Sequence, residues 1–442
     1  MSQFEDLPSR RAPAPGKRPR LPTHLVRDRV AGMKAQNRRN AALAALVIGA
    51  ALIAIGYIVG LPPVVFVGAL FTAGCAALLQ GEHRSLTIVA GMLTATALLP
   101  VIVLIQPFST FSSQNLWIDG FSIAGIFVLL ALGLNIVVGL SGLLDLGYAA
   151  FYAIGSYTFA FAASSFTGLD FPFWPMLIAG AISAAVFGIL LGAPTLRLRG
   201  DYLAIVTLGF GEIVPIVILN SSKYTLGPNG IGGISRPEIF GFEFPIQNPW
   251  PFYLAMVGIV TITMILIYRL QDSRLGRAWM AIREDELAAA SSGVNTVTTK
   301  LLAFALGAST AGLAGVFAAS KLSVVTPNLF RFDVSFTVLA MVVLGGMGNI
   351  WGVAIGAFVL YTIQSVILKQ LNQFFAAADV PFLSSIDFIE YQFLLYGIAL
   401  VAMMLLRPEG LFPSIRRKRE LHVDDAGEGP TTTADAMGAA PQ

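Results

Sequence analysis

The sequence contains few charged residues. Only 12% of its 442 residues are Asp, Glu, Lys or Arg, about half the fraction of an average soluble protein. Hydrophobic residues make up 56%, and the mean hydropathy is +0.75. This balance excludes a soluble globular enzyme, a disordered regulator and a secreted disulfide scaffold. It indicates a chain whose solvent is the lipid bilayer.

Cysteine and histidine are nearly absent as well. The single cysteine, Cys75, excludes an internal disulfide and a cysteine metal cluster, and we expect a buried thiol. The three histidines, His24, His83 and His422, lie in polar segments, away from the apolar runs. The chain also lacks the Gly-x-x-x-x-Gly-Lys-Ser/Thr loop that cradles phosphates. We therefore predict no catalytic residue, no metal site and no cofactor bound by this chain, so any ATP must bind another subunit.

Apolar runs of membrane length dominate what is present. A transmembrane helix needs about 17–25 predominantly apolar residues. Two candidate segments, 147–163 and 334–345, are short for a full crossing. The candidates are 41–60, 64–80, 86–106, 118–138, 147–163, 173–192, 202–219, 251–268, 301–319, 334–345, 351–368 and 390–406. The sequence predicts an all-α, polytopic membrane helix bundle of about 11–12 membrane segments with broken or short helices.

The few basic residues set the topology. If both termini are cytoplasmic, 23 of the 28 lysines and arginines fall on the cytoplasmic side, which is the asymmetry that membrane proteins show. Residues 1–40 are then a basic, disordered cytoplasmic tail, and 411–442 form a second disordered cytoplasmic tail. The loop 269–300 is the only substantial internal cytoplasmic loop.

Two glycine-rich stretches interrupt the apolar runs on the predicted cytoplasmic side. They are 139–147 and 345–352, and neither contains Lys or Arg. Such backbone is tolerated at membrane depth only where it is buried in protein or lines a cavity. We therefore interpret both as helix breaks within the membrane, whose helix ends can meet a charged substrate. The two stretches can be aligned at an offset of 204 residues with a few matching positions. Either an internal repeat or chance explains this similarity.

Polar residues inside apolar spans are rare and therefore informative. The main ones are Asn135, Asp145 and Glu212. A buried carboxylate at Glu212 must pair, become protonated or line a wet path, and the sequence offers it no sure partner. A path-lining role and a structural hydrogen-bonding role both stay open.

The loop 269–300 reads as a short amphipathic helical unit. Ser273 or Asp272 is placed to cap it, and Gly293 to stop it. The apolar stripe is predicted to comprise Leu275, Trp279, Ile282, Leu287 and Ala290. The unit can lie on lipid, pack on its own protein or dock into a soluble partner.

Several motifs together resemble one family. They are ALGLN at 131–135, GLSGLLDLGYAAFYAIGSY at 139–157, RLRGDYLAIVTLGFGEI at 197–213, GPNGI at 227–231, SRLGR at 273–277, AIREDE at 281–286, VLGGMGNIWG at 343–352 and RPEGLF at 407–412. Most of them are rich in Gly and Leu, but their order and spacing are specific. The chain is similar to the permease subunits of branched-chain amino acid ABC importers, of the LivM type.

The resemblance implies a permease core at 115–410, preceded by a three-span extension at 41–110. It implies a multi-pass protein of the bacterial inner (plasma) membrane that is not itself an enzyme. The implied partners are a homologous second permease, two cytoplasmic ATP-binding subunits and a periplasmic or extracellular solute-binding protein, with no nucleic acid. Loop 269–300 matches the family's coupling element, which docks into the ATPase.

These interpretations name two sets of candidate residues. For the translocation path we predict Asn135, Gly142, Asp145, Tyr148, Glu212 and Asn349. For coupling to the ATPase we predict Leu275, Gly276, Trp279, Arg283, Glu284, Glu286 and Gly293.

Two alternatives stay open. The first is an ABC importer of the same type that carries urea or short-chain amides. Only the ligand of its solute-binding protein distinguishes it from an amino acid importer. The second is a proton-coupled secondary transporter that uses Glu212 or Asp145 as its proton site. Uptake that persists without ATP and collapses with an uncoupler favours the second. An intramembrane enzyme lacks a nucleophile–base pair.

Overall fold

A computed structural model of the protein describes most of the apolar segments. The described residues are 36, 39–54, 65, 68–69, 72–76, 79, 84–103, 114–195, 201–239, 242–245, 248–370, 390–406 and 410–411. The predicted tails, 1–40 and 411–442, lie almost entirely outside them, as does much of the segment between the first and third predicted spans. The chain divides into two units, 1–97 and 98–442. The location of the two termini stays a prediction.

In the first unit, the cysteine lies in a small buried cluster with Ala42, Leu79 and Ala90. Helix α1 is Arg39–Ala54, and helix α2, Arg84–Val103, begins in this unit. The Cys75 thiol is buried and donates a hydrogen bond to the Ala42 carbonyl oxygen at 2.9 Å. The expectation of a buried thiol is confirmed.

The second unit is a helical bundle. Among the described residues, its α-helices of six or more residues are α3 (Gln114–Leu134), α4 (Tyr148–Ala162), α5 (Phe173–Thr195), α6 (Asp201–Asn220), α7 (Trp250–Gln271), α8 (Arg274–Glu284), α9 (Glu286–Ser291), α10 (Thr296–Leu322), α11 (Phe332–Gly345), α12 (Ile350–Thr362) and α13 (Gln392–Leu406). A π-helical turn, Asn135–Leu140, extends α3, and another, Ile363–Ile367, extends α12.

Seven helical segments among the described residues are long and apolar enough to cross a membrane. They are Asn115–Leu140, Phe173–Thr195, Tyr202–Asn220, Trp250–Gln271, Thr296–Leu322, Pro327–Gly345 and Ile350–Gln370. They confirm the polytopic helical class. The predicted short segment 334–345 is longer than expected, because a 3₁₀ turn, Pro327–Phe330, precedes α11 and lengthens the span.

Four two-residue strands lie outside the helices. Strand β1 (Ile231–Gly232) pairs antiparallel with β4 (Val324–Val325), and β2 (Glu238–Ile239) pairs antiparallel with β3 (Phe242–Glu243). Strand β4 follows the C-terminus of α10, whereas loop 269–300 precedes its N-terminus. Because α10 has 27 residues, about 40 Å of helix separates these two ends.

Helix α10 is the centre of the bundle and packs closely on α4 and α5 through glycines. A Cβ atom at Gly312 of α10 would lie 2.3 Å from the Gly180 carbonyl oxygen of α5. A Cβ atom at Gly155 of α4 would lie 2.5 Å from the Gly312 Cα. Small residues at such crossings let helix backbones touch, which is how membrane helices gain packing energy.

Gly312→Ala should destabilise the protein, because its new methyl group meets backbone that cannot move aside. Overpacking of this kind costs about 1–3 kcal/mol. Gly258→Ala in α7 is the matched control, since nothing lies within 4 Å of its Cβ position. Helix propensity alone then makes that change neutral or stabilising by up to about 1 kcal/mol. Melting temperatures of the purified variants test this, and equal values for the two variants would contradict the close crossing.

Candidate functional site

The first glycine-rich stretch is an irregular segment that enters the bundle. The π-helical turn ends at Leu140, and 141–147 runs without helix to Tyr148. The Tyr148 hydroxyl donates to the Gly307 carbonyl oxygen of α10 at 2.8 Å. The Ala149 amide donates to the Ser335 Oγ of α11 at 2.9 Å. These bonds fix the start of α4 against two neighbouring helices.

The positions of these partners give the depth at which α4 begins. Ser335 lies ten residues before Gly345, where α11 ends, which is about 15 Å along a helix. Helix α4 has 15 residues and is about 22 Å long, shorter than the roughly 30 Å hydrocarbon core. The non-helical segment 141–147 therefore lies alongside membrane-length helices, while its depth in the membrane stays a prediction.

Helix α6 forms one wall of this break. The Leu146 amide donates to the Thr207 Oγ1 at 3.1 Å, and a Cβ atom at Gly211 would lie 2.8 Å from the Gly147 Cα. Asp145 is buried; its Oδ1 accepts from the Gly147 amide at 2.9 Å, and no group in the described part of the chain bonds its Oδ2. One carboxylate oxygen of Asp145 thus stabilises the turn, and the other has no hydrogen-bond partner among the described residues.

Glu212, next along α6, differs from the expectation. The apolar run around it predicts a buried carboxylate, but the Glu212 side chain is exposed in this single chain. The reason is that α6 packs on the break through Thr207 and Gly211, so Glu212 turns to the outer face. Only 28% of the Tyr202–Asn220 span is buried, against 89% of Asn115–Leu140.

The second glycine-rich stretch is a tight turn between α11 and α12. Gly346 and Gly348 have φ values of +107° and +84°, a region that favours glycine. The Asn349 Oδ1 caps α12 by accepting from the Trp351 and Gly352 amides at 3.1 and 3.3 Å. Asn349 therefore has a capping role here.

The C-terminal motif folds onto this second break. The Leu411 amide donates to the Leu344 carbonyl oxygen at 2.9 Å. Gly410, with a φ of +87°, packs so closely that its Cβ would lie 2.6 Å from the Gly346 Cα. Gly410 and Leu411, the described residues of the last motif of the family resemblance, thus contact the turn between α11 and α12.

The two breaks touch each other. The Asn135 Oδ1 accepts from the Gly348 amide at 2.8 Å, and a Cβ atom at Gly139 would lie 2.7 Å from the same amide nitrogen. Asn135 is fully buried, and its Nδ2 has no bonding partner within the described residues. Asn135 therefore bridges the breaks, while its place on a translocation path stays a prediction, like that of Gly142 and the other path residues.

The predicted amphipathic unit consists of two helices. The Ser273 side chain caps α8 by accepting from the Gly276 amide at 3.3 Å, which confirms the predicted cap. Gly276, Trp279 and Ile282 are buried, and Leu275 is half-buried. The Trp279 indole donates to the Thr299 carbonyl oxygen at 2.7 Å. This face packs on the protein itself.

The predicted continuation of the apolar stripe is wrong. Asp285 is extended, and its Oδ1 accepts from the Leu287 and Ala288 amides at 2.8 and 3.1 Å, which starts α9. The side chains of the new helix point in other directions than a continued α8 would give them. Ala289 is therefore buried, whereas Ala290 is exposed and Leu287 is 68% exposed. Helix α9 therefore presents an apolar side chain outward.

A buried ion pair fixes α9 to α10. The Lys300 Nζ lies 2.5 Å from the Glu286 Oε1, and the lysine side chain is 7% exposed against 32% for the glutamate. Glu284 is exposed. Gly293 ends the unit with a φ of +86° and open space around its Cβ position, so its backbone angle is the reason for glycine.

Sequence reasoning missed the partners that hold these elements. Thr310 and Lys300 bond to the candidate residues Tyr148 and Glu286. Thr207 and Ser335 bond to backbone amides next to candidate residues of the first break. The only signal for Thr207, Ser335 and Thr310 was a hydroxyl inside an apolar span, and such hydroxyls commonly bond their own helix backbone. Their long-range contacts depend on the packing of helices far apart in sequence.

With this geometry in place, comparison with known proteins is informative. The family model described as "Branched-chain amino acid transport system / permease component" matches residues 116–404. The high-affinity branched-chain amino acid transport system permease protein LivM of Escherichia coli is 43% identical over 325 residues, which is 69% of this chain and 72% of that protein. No solved structure matches the chain.

More distant relatives match about two thirds of the chain. The permease protein LivH of Salmonella typhimurium is 25% identical over 307 residues, 66% of this chain and 93% of LivH. The autoinducer 2 import system permease protein LsrC of Yersinia pseudotuberculosis is 28% identical over 294 residues, 65% of this chain and 78% of LsrC.

The membrane-length helices of the described residues and the similarity to LivM define a multi-pass permease of the inner (plasma) membrane. The chain belongs to the family of permease components of branched-chain amino acid transport systems.

Glu286→Gln should destabilise the permease, because it leaves the buried Lys300 ammonium without its counter-charge. Removing one partner of a fully buried pair costs about 3–5 kcal/mol, and partial exposure of Glu286 reduces this to about 1–3 kcal/mol. Glu284→Gln is the matched control, and an exposed site changes stability by about 0.5 kcal/mol or less. Thermal unfolding in detergent measures both, and equal melting temperatures would contradict a structural role for the pair.

Proposed function

We propose that this chain is the permease subunit of an ATP-driven importer for branched-chain or related amino acids, working by alternating access. The observation that carries the proposal is the junction of the two breaks through Asn135 and Gly348, at the same end of the bundle as the coupling loop. The transport system for which the LivM relative is named supports the substrate class. Movement of the loop can then reach both breaks at once.

The exposed face of α6 is the proposed contact with a homologous second permease. Glu212 lies on this face beside Ile213 and Ile216, which are 56% and 52% exposed. A carboxylate facing lipid at membrane depth is costly, and such residues generally face a bundle interior or a water-filled cavity. This face therefore borders the partner and the translocation path between the two permeases.

The cytoplasmic ATP-binding subunits are proposed to dock on α9. Its exposed Leu287 offers an apolar anchor on the predicted cytoplasmic side, next to the exposed Glu284. One of the two ATPases would contact this permease and the other its partner. The solute-binding protein would deliver the amino acid at the opposite end, where β1 pairs with β4.

A zwitterionic amino acid would move along a mostly apolar path that contains few polar side chains. Asp145, which keeps an unbonded oxygen among the described residues, and Glu212 are the charged ones. Specificity would reside in the binding protein, so the permease need not hold the substrate tightly. This fits a family in which a relative is named for the import of autoinducer 2, a different substrate.

The test is purification of the full chain with its bound subunits from native membranes, followed by identification of the ligand released from the binding protein. Reconstituted vesicles should then take up radiolabelled leucine only with ATP and the binding protein present. Uptake that persists without ATP and collapses with an uncoupler would show a secondary transporter instead. ATP-driven uptake of urea but not leucine would contradict the amino acid assignment.

Leu287→Glu should reduce co-purification of the ATPase at least tenfold, because it replaces the apolar anchor of α9 with a charge. A tenfold loss corresponds to about 1.4 kcal/mol, less than the cost of removing a buried leucine from an interface. Leu322→Glu is the control, because Leu322 is also exposed but ends α10 on the opposite side. ATPase recovery that is unaffected by Leu287→Glu would rule out docking on α9.

A further inference from the structure

Arg283 points into the permease and away from its cytoplasmic surface. Its Nη1 donates a hydrogen bond to the Gly139 carbonyl oxygen at 2.6 Å, across 144 residues of sequence. Its Cγ lies 2.8 Å from where a Cβ atom at Gly142 would stand. The side chain is half-buried, whereas Arg277, on the same helix, is exposed and bonds the Asp272 carbonyl oxygen of its own loop.

The bond to Gly139 meets a helix end. Gly139 is the fifth residue of the six-residue π-helical turn that extends α3, so its carbonyl is among the last of that helix. The final carbonyls of a helix lack partners within it and carry partial negative charge. A guanidinium there forms a charge-assisted bond, which is stronger than a neutral one.

The same guanidinium lies beside the second break. The Cβ position of Gly348 is 3.6 Å from the Arg283 Nη1 and 3.4 Å from the Gly139 carbonyl oxygen. The Gly348 amide in turn donates to the Asn135 Oδ1. One side chain of α8 therefore contacts the first break directly and abuts the second, at the point where the two breaks are bonded together.

We propose that Arg283 is a positioning residue that transmits movement of α8 to both breaks, and is not an ATPase contact. This rests on the proposed function, which supplies the movement. The physical reason is that a displacement of α8 must either carry the Gly139 carbonyl with it or break a charge-assisted bond. The planar guanidinium fork is specific to arginine, so lysine cannot fully replace it.

The test uses the complete importer in proteoliposomes and measures leucine molecules moved per ATP hydrolysed. Arg283→Ala should retain ATPase assembly and hydrolysis within twofold of wild type while this ratio falls at least tenfold. Arg283→Lys, which keeps the charge but loses the fork, should lower the ratio at least threefold. Arg277→Ala, which removes an exposed arginine from the same helix, should keep the wild-type ratio.

Two results would overturn the role of Arg283. One is a wild-type ratio in both Arg283 variants. The other is loss of the ATPase from Arg283→Ala or Arg283→Lys while the remaining assembled complexes keep the wild-type ratio, which would make Arg283 a docking residue. If Arg283→Ala does not fold, Arg283→Lys alone decides. A wild-type complex that shows no ATP-driven uptake would instead refute the proposed function.

Discussion

Backbone that is not helical must find hydrogen-bond partners inside the protein when it lies at membrane depth, and this requirement organises the bundle. Lipid offers no donors or acceptors, so each unpaired group there costs several kcal/mol. The chain meets the requirement with side chains from distant elements. Asn135 accepts from the Gly348 amide, Thr207 from the Leu146 amide and Ser335 from the Ala149 amide.

The same requirement explains why glycine and small polar residues cluster at the breaks. A side chain at Gly139 would collide with the Gly348 amide nitrogen and push the two breaks apart, whereas Gly348 is favoured by its positive φ. Arg283 then adds a charged donor from loop 269–300 to this uncharged junction. A junction made of a few directional bonds has discrete arrangements, which is what switching between two states needs.

Much of this architecture could be predicted from the sequence, and the exceptions have physical causes. Apolar runs, glycine-rich breaks and the Ser273 cap depend on local pattern, and the structure has them. The exposure of Glu212 and the inward course of Arg283 depend on which helix face packs, and that is decided by long-range contacts.

The misplaced stripe shows the same limit at short range. The helical periodicity of the sequence predicts that the apolar face of α8 continues to Leu287. The extended residue Asp285 instead ends α8 and starts a new helix, so the residues after it face other directions. A helix restart of this kind needs a capping bond to be recognised, and an acidic residue inside an amphipathic pattern is its only trace in the sequence.

In the proposed alternating access, the two breaks change their relative position during transport. Spin labels placed in the full importer at Leu144 of the first break and Met347 of the second measure the distance between them. A Cys75→Ala background removes the only native thiol of this chain. We expect the distance distribution to shift between the nucleotide-free and ATP-trapped complexes. An identical distribution in both states of an actively transporting preparation would refute this movement.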